Sequence, residues 1–173
     1  MKHNNKKNLE TALINPLLVD YDIAVLQKLA KTLSKTKLLN TTAGRTVRVA
    51  ICGSFMTKFL LEILPLFFLH RGFKPTFYAS EYGTFQQDIV NKNSPLMDFS
   101  PDLVVVFPTH HDLRFKPPEN ASASIFDKNL EQEFEFWIGL LKNISSPIIF
   151  FTFDPPPTQP LGDVDGLRTG GFL

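Results

Sequence analysis

Leu103-Val104-Val105-Val106-Phe107 is a run of five apolar residues with no polar position between them. A strand with one wet face alternates polar and apolar side chains, so an unbroken run reads as a strand covered on both faces, as in a parallel sheet. Working outward, Val47, Val49, Ala50 and Ile51 form another β-rich run that ends at Gly53-Ser54, with further runs at Phe73 to Ala79 and Ile148 to Phe153. Helical periodicity fills the spaces between them. Ile23, Leu26, Leu29, Ala30 and Leu33 recur at three- and four-residue steps, which predicts an amphipathic helix capped by Asp20 or Asp22. Phe55 to Arg71 is apolar on nearly every side and reads as a deeply buried helix with a kink or a lost hydrogen bond at Pro65. Phe85 to Asn91 is a short helix ahead of an Asn/Ser/Pro break at 93–95. Ile125 to Ile144 carries Phe126, Leu130, Phe134, Trp137, Ile138 and Leu141 at the spacing of a core-facing helix.

Strands alternating with helices predict a three-layer α/β domain built on a doubly wound, flavodoxin-like parallel sheet. Four strands are expected, at about residues 47–52, 74–79, 102–107 and 147–152, in the order 2-1-3-4. The last of them is expected to be an incompletely covered edge, which implies low solubility or dependence on a partner. Residues 1–15 are polar and Asn/Lys-rich and read as a disordered lead-in, residues 16–153 as the single domain, and residues 154–173 as a Pro/Gly-rich tail.

Composition narrows the function classes. The net charge of +1 argues against a surface built to grip phosphate backbone or anionic lipid, so neither nucleic acid nor membrane is an expected partner. The stretch from Phe59 to Leu69 is interrupted by Glu62 and Pro65 and falls short of the roughly 20 residues that cross a bilayer. The single Cys, Cys52, makes no internal disulfide and, with four scattered His, no zinc site of known spacing, so no metal or cofactor is expected. The basic N-terminus lacks the apolar run of a secretory peptide, and the expected compartment is the cytoplasm.

In open parallel sheets ligands bind beyond the carboxyl ends of the strands. Here those ends are Gly53-Ser54, Ser80 to Gly83, Pro108 to Asp112 and Thr152 to Asp154. Ser54 is expected to leave a strand and open a helix, where the amides of Phe55 and Met56 would hold an anion or oxyanion; the plainer reading makes it the N-cap of that helix. Gly-x-Ser-x-Gly is absent, because Met56 stands where the second Gly belongs. His110, His111 and Asp112 are the residue types of acid/base and metal chemistry, although adjacent residues point different ways, so that at most one His can share a site with Ser54, and solvated loop His is the plainer reading. Asp154 could orient a base or serve as a turn residue, and Cys52 reads as an inert core thiol.

Arg48-Val49-Ala50-Ile51-Cys52-Gly53-Ser54-Phe55, with Leu64-Pro65-Leu66 and Arg71-Gly72 behind it, resembles the opening of the SGNH-hydrolase-like domain at the N-terminus of FkbH-like proteins. Glu81-Tyr82-Gly83-Thr84-Phe85-Gln86-Gln87-Asp88-Ile89, then Ser94-Pro95-Leu96 and Phe99-x-Pro101-Asp102-Leu103-Val104-Val105, follow in the family's order, as do Phe153-Asp154-Pro155-Pro156 and Leu161-Gly162-Asp163. The resemblance implies an SGNH-like layer joined, in full-length members, to a HAD-type phosphatase-like domain that handles acyl groups for carrier proteins. It places the family's Ser on Ser54 as candidate nucleophile and its oxyanion-hole Gly on Gly83, while the strand ends themselves put Phe55, Tyr82, His110, His111, Asp112 and Asp154 on the cleft rim. The sequence departs from the pattern where an Asn should follow the third strand, and it reads as truncated before any Asp-x-x-His segment. The implied function is an FkbH-like SGNH-type domain, inactive alone, that positions an acyl carrier protein or a HAD-type partner. The alternative is a small Ser54-dependent esterase or acyltransferase with His110 or His111 as base.

Overall fold

The computed structural model describes residues 22–35, 44–115 and 122–153. In chain order these form α1 (Ile23–Lys35), β1 (Arg45–Gly53), α2 (Lys58–His70), β2 (Phe73–Ala79), α3 (Phe85–Val90), α4 (Pro95–Phe99), β3 (Leu103–Phe107), a 3-10 turn (His110–Asp112), α5 (Ala123–Leu141) and β4 (Ile148–Phe150). The strands make one sheet in the order β2-β1-β3-β4, and every pairing is parallel. This is the expected 2-1-3-4 arrangement. The expected lead-in 1–15, the tail 154–173 and the rim residue Asp154 lie outside the described residues.

Register divides the sheet into two faces. Ala50 pairs with Val104 and Cys52 with Val106, and these four side chains, all fully buried, face α3, α4 and α5. Phe85, Ile89, Leu96, Trp137 and Leu140 close over them. The opposite face carries α2, whose Phe68 meets Phe77 of β2 edge to face at 5.5 Å. α1 packs outside α2 through Leu26, Ala30 and Leu33 against Ile63, Leu66 and Leu69. Asp22 caps α1 by accepting from the Ala24 amide at 3.2 Å. At the amino ends of β1 and β3, Asp102 accepts from the backbone N–H and guanidinium of Arg48. Those bonds hold its carboxyl below the ordinary range.

Four details differ from the sequence reading. α2 begins at Lys58 with Thr57 at its N-cap, so Ser54 neither caps nor opens it, and the Phe55 and Met56 amides lie outside its first turn. α2 is not buried all round: it packs against α1 and β2, and Phe59 stays 48% exposed. The break at 93–95 starts a helix instead, with Ser94 accepting from the Met97 amide and Pro95 in the first turn, where its missing N–H costs nothing. On α5, Trp137 and Leu140 are buried, yet Leu130 and Phe134 are 55% and 66% exposed. They share the apolar spacing but lie on a flank that leaves the sheet.

Candidate functional site

The carboxyl ends of β1 and β3 lie side by side because Gly53 pairs with Phe107. A Cβ on Gly53 would stand 3.2 Å from the Phe107 carbonyl oxygen, so the absence of a side chain permits this close approach. Ser80, just beyond β2, ties the third end in: its N–H donates to the Ile51 carbonyl at 3.0 Å and its hydroxyl accepts from the Gly53 N–H at 3.2 Å. The chain then bends through Ser54 and Phe55 before α2.

The bend aims Ser54 at the loop after β3. Its hydroxyl donates to Asp112 Oδ1 at 2.5 Å. The other carboxylate oxygen, Oδ2, accepts from the Thr109 N–H at 2.7 Å and the Thr109 hydroxyl at 3.1 Å. Thr109 and Asp112 form a reciprocal capping box around the 3-10 turn. One carboxylate thus closes its own turn and receives a hydroxyl from the neighbouring strand end.

His110 and His111 do not diverge. In the 3-10 turn their rings lie together, with centroids 3.9 Å apart, which corrects the expectation that these adjacent side chains point different ways. The Ser54 hydroxyl proton goes to Asp112, not to an imidazole. Phe55 sits edge-on to Phe107 at 5.7 Å, and Phe107 stacks on Phe151 at 4.3 Å, an aromatic row beside Ser54 on the α2 face of the sheet. Tyr82 is 79% exposed and Met56 70% exposed at the same end of the sheet. Gly83 follows Tyr82 in a turn at φ 72, a left-handed conformation that suits glycine.

Three residues escaped the sequence reading. Thr109 was legible as the first member of a Thr-x-x-Asp cap. Asp88 accepts from the Tyr78 hydroxyl at 2.8 Å, and burial together with this bond drives the phenol above its ordinary range. Glu133, buried on α5, accepts from Trp137 Nε1 at 2.8 Å and from the amides of Arg114 and Phe115 at 3.2 Å each. It pins the chain just after Asp112, while the Arg114 guanidinium lies 3.4 Å over the Phe136 ring. Cys52, buried beneath the strand end, has its thiol pushed up to about 12 by burial and then by Asp88, the state of an inert core residue.

Two cavities lie elsewhere. One of about 130 Å³ is lined by Leu96, Pro101, Val104 and Ile144, and one of about 360 Å³ by Ala30, Leu33, Leu61 and Pro65; neither is lined by Ser54 or Asp112. Among the described residues no group of three or more His, Cys, Asp and Glu side chains could hold a metal ion. No helix among them is long and apolar enough to cross a membrane.

No family model matches the chain, and no curated protein matches it in sequence. Among solved structures it is similar to the N-terminal part of the Bacteroides fragilis protein BF1531, which contains a phosphatase domain complexed with Mg. The TM-score is 0.64 at 17% identity, over 87% of this chain. The match spans 38% of that longer chain. What the two share is the α/β fold.

Proposed function

We propose that this chain is an SGNH-type α/β domain of the FkbH-like kind, inactive alone, that positions an acyl group or its carrier protein for a HAD-type phosphatase or acyl-transfer module. The observation that carries the reading is the Ser54–Asp112 hydrogen bond of 2.5 Å. A serine nucleophile needs a base that takes its proton near neutral pH, and carboxylates are far weaker bases than imidazoles. With Asp112 already accepting from both groups of Thr109, the pair is suited to holding a polar ligand rather than to breaking an ester. The exposed side chains of Tyr82 and Met56 offer apolar contact at the same end of the sheet. The similarity in fold to a protein that carries a phosphatase domain supports the choice of module.

The test has two arms. Hydrolysis of an activated ester such as p-nitrophenyl acetate is expected to be equal, and at background, for the wild type and Ser54→Ala. Titration with a phosphopantetheine-bearing acyl carrier protein is expected to shift the NMR signals of Ser54, Tyr82 and Gly83, and to lose that effect in Asp112→Ala. A saturable Ser54-dependent rate overturns the reading in favour of the esterase, and an unperturbed spectrum overturns the carrier-protein role.

A further inference from the structure

The two edges of the sheet are built differently. β2 carries Lys74 and Pro75, a charge and a missing N–H, which are the usual means of keeping an edge from pairing. β4 carries neither: Ile148, Ile149 and Phe150 are followed by Phe151, and the last three of these are 48%, 36% and 47% exposed. Its inner hydrogen bonds fix which backbone groups face outward. Pro147 accepts from Val104 and Phe151 donates to Val106, so by strand alternation the N–H and C=O groups of Ile148 and Phe150 point away from the sheet.

The helix above this edge is unfinished in the same direction. Trp137 and Leu140 of α5 pack on Val104 and Val106, with Ile148 against them, which seats α5 over β3 and β4. The row Leu130, Phe134, Ile138 runs beside the buried one and is 55%, 66% and 39% exposed. In a right-handed β3-α5-β4 crossover that row faces outward past β4, opposite the side where Phe85 of α3 stacks on Trp137.

The geometry points to a two-fold dimer in which β4 of one copy pairs antiparallel with β4 of a second, giving one continuous eight-stranded sheet. Strands about 4.8 Å apart would set the two α5 helices about 10 Å apart, the distance at which helices pack. Phe134 and Ile138 of each copy then meet across the axis. The antiparallel sense also matches charge: Asp127 and Glu131 adjoin the row in the first half of α5, Lys128 lies further round the helix, and Lys142 lies just beyond its end, all exposed, so each copy's Lys142 meets the other's Asp127 and Glu131. Below the sheet, Ile149 of one copy lies across from Phe151 of the other. With a net charge of +1, self-repulsion is negligible.

Sedimentation velocity of the full chain from about 1 to about 100 µM tests this by mass action. A species of twice 19.6 kDa is expected to grow with concentration. Phe134→Glu and Ile149→Lys, both at exposed positions, should each raise the dissociation constant about tenfold or more with unchanged far-UV circular dichroism. Hydrogen exchange on the wild type requires no variant: the amides of Ile148 and Phe150 should slow at high concentration. A monomer throughout, a dimer indifferent to both substitutions, or amides protected equally at low concentration overturns the proposal, the last by giving the edge to another segment of the same chain.

Discussion

The hydroxyl of Ser54 and the carboxylate of Asp112 meet at 2.5 Å across a separation of 58 residues. The contact depends on the β1–β3 register, on the close approach at Gly53 and on the 3-10 turn that swings Asp112 back toward its own strand end.

Asp112→Ala removes a cap and the acceptor of the Ser54 hydroxyl together. A lost cap costs about 1 kcal/mol and a hydrogen bond to a charged group about 1.5–3 kcal/mol, so urea denaturation should show a loss of about 2.5–4 kcal/mol. Ser54→Ala should cost less, because Asp112 keeps both Thr109 donors. In the double variant the two effects should fall short of their sum by about 1 kcal/mol or more; strict additivity would show that the pair is not coupled in solution.

Glu133 makes a sharper prediction. Glu133→Ala leaves Trp137 Nε1 and the amides of Arg114 and Phe115 without their acceptor, at about 1–3 kcal/mol for each donor that water cannot reach. The variant should melt well below the wild type with a red-shifted Trp137 emission, whereas Glu133→Gln, which keeps one acceptor oxygen, should recover a good part of both.

The sheet was readable because its signals are local. Five unbroken apolar residues at 103–107 and the β-rich run ending at Gly53 need no knowledge of their neighbours. Ser94-Pro95 is equally local, a capping residue followed by a first-turn proline, but reads as a break because each residue alone also marks a loop. The Ser54–Asp112 contact was not readable, since it follows from the register of two strands and the direction of two bends. Nor was the exposure of Phe134: periodicity tells which flank of a helix is apolar, while what covers that flank is a property of the rest of the fold.

Cys52 sets an alkaline limit on stability. An unperturbed thiol titrates at about 8.5, so from there up to about 12 the unfolded chain has released a proton that the folded chain retains. The stabilisation is complete below the unfolded value and is lost as pH rises through that window, by at most about 1.4 kcal/mol per pH unit. Tyr78, raised chiefly by burial, steepens the loss further up. Denaturation at pH 8 and pH 10.5, in wild type and Cys52→Ala, should show the larger alkaline loss in the wild type; equal losses would exclude the thiol. Under native conditions near pH 8, a disulfide reagent should leave Cys52 unmodified until the protein is unfolded.

Gly53→Ala probes whether the strand ends must touch for the site to form. The added Cβ would stand 3.2 Å from the Phe107 carbonyl oxygen and 3.3 Å from its Cβ. Neither can step aside cheaply, because both belong to the residue that pairs with Gly53 at the end of the β1–β3 ladder. The ends should separate by a few tenths of an ångström, at about 1–3 kcal/mol, the usual cost of overpacking, and Ser54 should draw away from Asp112. Two measurements distinguish this from a general weakening. On an Asp112→Asn background, Gly53→Ala should cost less than it does alone, since part of its damage has already been done. Gly139→Ala is the control: it lies inside α5 with nothing within 4 Å of the added methyl, and should stabilise by up to about 1 kcal/mol through helix propensity. A Gly53→Ala protein as stable as the wild type, with an unchanged Ser54 amide shift, would mean that the strand ends have slack and that Ser54 is positioned by its own loop.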